Sequence, residues 1–85
     1  MKYQYFNGTV ASGVANGGVG FVSAEMVKPT GYKLAGISCA ISNLGIYAIY
    51  TRLNGTQLRA GFLNYTGGTT TDAVTVDAVA IYVPS

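Results

Sequence analysis

Histidine and tryptophan are absent from these 85 residues, cysteine occurs once, at Cys39, and only three acids are present, Glu25, Asp72 and Asp77. Each shortage excludes a chemistry. Without histidine the chain lacks the commonest general base and the usual partner of a serine or cysteine nucleophile. A zinc site needs about four Cys, His or acidic ligands, and this set cannot supply them. A lone cysteine closes no internal disulfide. The acids lie in separate segments, so the paired carboxylates of a glycosidase are not expected. The sequence therefore predicts no enzyme activity, no metal and no cofactor. Charged residues make up 9% of the chain, against about 25% in an ordinary soluble domain. The net charge of +2 comes from dispersed cations, Lys2, Lys28, Lys33, Arg52 and Arg59, too few and too scattered for a nucleic-acid surface. No apolar run reaches the ~18 residues of a membrane span. The start, Met1-Lys2-Tyr3-Gln4-Tyr5, lacks the apolar core of a signal peptide, and assembly in the cytoplasm is expected.

What is present is apolar and β-forming. Hydrophobic residues reach 49%, with 12 glycines and 7 tyrosines. A chain this short buries only about 60–65% of its unfolded surface. With disulfide and metal excluded, oligomerisation is the remaining support, and the apolar surface points the same way. Period-2 segments closed by turn residues predict strands near residues 9–14, 19–27, 32–42, 46–53, 57–64 and 73–83. The expectation is an all-β fold: a small antiparallel β-sandwich, jelly roll or barrel of about six to eight strands without a long helix. Residues 9–85 form the expected single domain, and Met1 to Gly8 is expected to be an N-terminal arm or linker. Asn54-Gly55 reads as a type I′ hairpin turn with positive φ at both residues. Gly13, Gly17, Gly18 and Gly20 have no following Lys-Ser or Lys-Thr, so they read as turn residues and not as a phosphate loop. The Asn-x-Thr triplets at Asn7, Asn54 and Asn64 are expected noise in a chain this rich in Asn and Thr.

Three segments carry the finer reading. In 32–42, Ala35, Ile37, Cys39 and Ile41 share one face; Ile37, Cys39 and Ile41 are expected in the core against the last strand. In that last strand, Val74, Val76, Ala78, Ala80 and Tyr82 point one way and Val79, Ile81 and Val83 the other. Both faces are apolar, so the strand is central in the core, or a neighbouring subunit covers its second face, or a bulge near Asp77 re-aims it. Tyr47 and Tyr50 are expected on opposite faces of their strand. The polar loop after residue 63 gathers amide, hydroxyl and aromatic groups at Asn64, Tyr65, Thr69, Thr70 and Thr71, the candidate ligand-binding residues. Such groups suit a saccharide, although Tyr also favours strands for their own sake.

The order of these features resembles the small β-sandwich tip domains of bacteriophage tail fibres and related virion appendages. A Gly-rich first turn is followed by Lys28-Pro29-x-Gly31-Tyr32-x-x-x-Gly36-Ile37, a middle hairpin, Asn64 with a Thr-rich loop, and the terminal strand Val79-Ala80-Ile81-Tyr82-Val83. The resemblance implies a homotrimer in the virion that contacts other virion proteins and either caps the fibre or binds a host-surface saccharide, with no catalytic residues. Symmetry alone would favour a dimer; the number three comes from the resemblance. The alternative is a stand-alone carbohydrate-binding or capsid-decoration module without a receptor role.

Overall fold

The computed structural model describes residues 1–41 and 43–85. It contains six strands and no helix among them: β1 (Lys2–Val10), β2 (Val19–Glu25), β3 (Tyr32–Ile41), β4 (Ile46–Asn54), β5 (Gln57–Asn64) and β6 (Val74–Pro84). They form two three-stranded sheets, A in the order β1-β6-β3 and B in the order β2-β5-β4. Every neighbouring pair is antiparallel. The sheets pack face to face as a sandwich, and the all-β expectation holds. The expected end of the third strand, Ser42, lies outside the described residues.

The central strands make the core. Leu58, Ala60 and Phe62 of β5 face Val74, Val76, Ala78, Ala80 and Tyr82 of β6, and Phe6, Val22 and Ile46 close the flanks. The alternation of β6 falls as the sequence indicates: the first set is buried, and Val79, Ile81 and Val83 turn to the outer face. No register shift occurs at Asp77.

The N-terminal segment corrects the sequence reading. Residues 1–8 are not an arm, because Lys2–Val10 pairs along β6 from Lys2↔Tyr82 to Val10↔Val74. The first strand thus ends at Val10, not Val14. Two features disguise it. Gln4 occupies an inward position, where its Oε1 accepts from the buried Tyr82 hydroxyl at 2.7 Å and from the Val27 N–H at 2.9 Å. Asn7-Gly8 imitates a turn, but Gly8 is mid-strand because a Cβ there would come within 2.8 Å of Val22 Cγ1.

Bulges on both sheets correct the face assignments. The register of β3 shifts between Leu34 and Gly36, so Ala35 is the extra residue and Tyr32 and Leu34 join Ile37, Cys39 and Ile41 on the inner face. These last three are half-buried and not enclosed, because β3 is an edge strand. The register of β4 shifts between Ala48 and Tyr50. Tyr47 opposes Leu63 and Tyr50 opposes Gly61, so both tyrosines share the outer face of sheet B. Bulges of this kind belong at sheet edges, where they bend the strand.

The β4–β5 turn also differs in type. Asn54 pairs with Gln57, leaving Gly55-Thr56 as the loop, and only Gly55 has positive φ, at 64°. Positive φ at the first central residue is the II′ pattern, not I′. Gly55→Val puts a β-branched residue into that left-handed region and is expected to lower stability by about 1–2 kcal/mol. Urea titration at unchanged m-value measures it.

Burial raises the Tyr82 phenol above its ordinary pKa of 10.0. An acid with a raised folded pKa costs no stability below its unfolded value. Above about pH 10 the unfolded chain ionises first and draws the equilibrium away from the fold. Stability is therefore expected to fall as pH rises through 10, and Tyr82→Phe should flatten that decline in denaturant titrations taken from pH 8 to 11.

Candidate functional site

The candidate residues gather at one end of the sandwich, where the loops 11–18 and 65–73 interlock. Asn64 is the hub. It is 0% exposed, and all four of its side-chain hydrogen-bonding positions are filled. Nδ2 donates to Val14 O at 2.9 Å and Gly68 O at 2.8 Å, while Oδ1 accepts from the Thr66 N–H at 3.0 Å and the Thr66 hydroxyl at 2.7 Å. Its main chain exchanges bonds with the Asn16-Gly17-Gly18 turn, from Gly17 N and to Gly18 O. Asn64 thus builds the loop end and offers nothing to a ligand.

Thr70 is spent in the same way. Its Oγ1 accepts from the Gly13 and Val14 N–H groups at 3.0 and 2.9 Å, and its N–H donates to Val14 O. The loops are therefore joined by backbone as well as by side chain, which presents a firm surface. Tyr65 stands out from it at 69% exposure.

Beside this clasp opens a cleft of about 290 Å³ between the β3–β4 turn and the Thr-rich loop. Thr66, Thr69, Thr70, Thr71 and Asp72 form one wall, Asn43 and Leu44 the other, and Ile46 and Val74 the floor. Of the five residues expected from sequence, Thr69, Thr70 and Thr71 line this cleft, while Asn64 lies beneath it and Tyr65 outside it. Sequence reasoning missed Thr66 and Asn43. The available signal for Thr66 was Asn64 two residues earlier, the spacing at which an Asx side chain caps its own turn. Hydroxyls, an amide and one carboxylate over an apolar floor can hydrogen-bond a polyhydroxylated ligand.

A scan of protein-family models, a search of curated proteins and a search of solved structures returned no match.

The outer faces of the sheets differ. On sheet A the rows run Tyr3–Ile81–Gly36, Tyr5–Val79–Ser38 and Asn7–Asp77–Ala40, with Val83 beside Lys33. Tyr5 is 80% exposed, and the stripe Tyr3, Tyr5, Val79, Ile81 and Val83 is a continuous apolar surface. On sheet B the rows run Val19–Leu63–Tyr47, Phe21–Gly61–Tyr50 and Ser23–Arg59–Arg52. Cys39, inward on β3, has its thiol pKa raised by burial, which lowers its reactivity. Among the described residues no group of three or more His, Cys, Asp or Glu could hold a metal, and no helix is long and apolar enough to cross a membrane.

Proposed function

We propose that this chain is a virion structural module, a trimeric tip or receptor-binding domain of a phage tail fibre or related appendage that contacts host-surface saccharide. It assembles in the bacterial cytoplasm and acts as a binding surface with no catalytic step. The observation that carries the reading is the outer face of sheet A. Three aliphatic side chains of a central strand and two tyrosines lie together on it, in a chain with few charges to keep such a surface in water. Neighbouring copies cover that face, and the loop end with its Thr-lined cleft stays open to ligand. Three clefts per assembly convert weak single contacts into useful avidity.

The cleft is tested by substitutions that leave the Asn64 clasp alone. Thr71→Val with Asp72→Asn is expected to lower attachment to host cells at least tenfold, while mass and melting temperature stay unchanged. Attachment equal to the parent protein would remove the cleft from the account.

A further inference from the structure

We propose that the outer face of sheet B holds a carboxylate-bearing saccharide, the carboxylate between Arg52 and Arg59 and the sugar ring against Tyr50. The site lies apart from the Thr-lined cleft and is framed by side chains of β2, β4 and β5. Arg52 and Arg59 are directly opposed across the β4–β5 pair, where like charges repel. Arg59 is also partly withdrawn from water: its Nε is buried without a hydrogen-bond partner. Its guanidinium sits 4.6 Å from the centroid of the Phe21 ring, a contact that fixes its plane and compensates only part of the lost hydration.

Among the described residues no carboxylate forms an ion pair with either guanidinium. Glu25 shares this face one row further along, where its carboxylate accepts from the Gln57 side-chain amide and not from an arginine. Asp77 is on sheet A, and Asp72 lines the cleft at the loop end. Two of the chain's five cations are therefore cross-strand partners without a carboxylate between them. A planar carboxylate relieves the repulsion and accepts from both guanidinium forks at once.

The next row of the sheet, about 7 Å along the strand, supplies the platform. The Tyr50 ring lies over Gly61, occupying the space a Cβ would take. Arg52 also lines a cleft of about 210 Å³ where the β3 bulge at Ala35 stands off from Thr51 to Leu53. A flat ring with charge on one side and a recess beside it fits a uronic- or sialic-acid unit better than an extended acidic peptide. The choice of a saccharide rests on the reading above; the demand for an anion does not.

The test is an NMR titration of isotope-labelled protein with a tetrasaccharide of alternating glucuronate and N-acetylglucosamine. A carboxyl-reduced form of the same tetrasaccharide and a glutamate-rich peptide run in parallel. The acidic saccharide is expected to shift the Arg59 Nε–H resonance and the amides of Tyr50 and Arg52, and the reduced form to leave them in place. Arg52→Thr is expected to weaken binding at least tenfold while raising the melting temperature, because it removes the like-charge pair. A purely structural arginine would lower it. Equal shifts from the reduced form, no shift at Arg59, or tighter binding of the peptide would overturn the proposal. Shifts confined to Thr69 and Thr71 would also overturn it, yet leave the saccharide reading of the loop end standing.

Discussion

Asn64→Ala is expected to cost about 3–4 kcal/mol of folding stability, from roughly 1 kcal/mol for each of the four hydrogen bonds removed. The loss exceeds that of an exposed amide because the substitution leaves its partners behind. The Thr66 N–H loses its partner, whereas the Val14 carbonyl keeps the Thr70 N–H and the Gly68 carbonyl keeps the Thr66 hydroxyl. A domain of this length has about 4–13 kcal/mol in total, so the loss is from about a quarter to nearly all of the stability. Asn64→Asp separates the two halves of the hub. It keeps the acceptor for Thr66 but places a buried carboxylate against two carbonyls, and it is expected to be at least as damaging as alanine. Chemical denaturation followed by far-ultraviolet circular dichroism measures both. A loss below 1 kcal/mol for Asn64→Ala would mean that the loops hold together without their hub.

Ile81→Asp is expected to abolish self-association while leaving the fold intact. In a single chain the side chain of residue 81 lies on the outer face, beside Tyr3 and four residues along the strand from the exposed Asp77. A carboxylate there stays hydrated and costs little. In the proposed trimer the same carboxylate would be buried against apolar neighbours without a partner, at several kcal/mol per copy. The expected readout is a melting temperature that rises with protein concentration for the parent chain and is independent of it for the variant. Concentration dependence retained in Ile81→Asp would place the interface elsewhere.

Much of the fold is legible in the sequence because alternation reports directly on the inner and outer faces of a strand. The β6 pattern from Val74 to Val83 needed no correction. Alternation misleads where one inserted residue rephases a strand. The bulge at Ile49 carries no Gly or Pro signature, and the one at Ala35 only the neighbouring Gly36; each reverses the faces beyond it, and Tyr47 and Tyr50 end on one face for that reason. Inward polar residues hide a strand in a similar way. Gln4 breaks the apolar pattern of β1 because it bonds Tyr82 and the end of β2. Local pairs are ambiguous too: Asn7-Gly8 lies within a strand, and Asn54-Gly55 yields a turn displaced by one residue. At the candidate site, composition located the Thr-rich loop but could not rank its members. Which threonine faces the cleft and which is consumed by Gly13 and Val14 depends on a contact across 56 residues of chain.

The central claim is that the apolar outer face of sheet A is covered by copies of the same chain. Static light scattering of the full chain, eluting from a sizing column at micromolar concentration, tests it most directly. The account predicts three copies of the 8.8 kDa chain, a mass of about 26 kDa, and the monomer mass for Ile81→Asp under the same conditions. A parent chain that elutes at the monomer mass would contradict it.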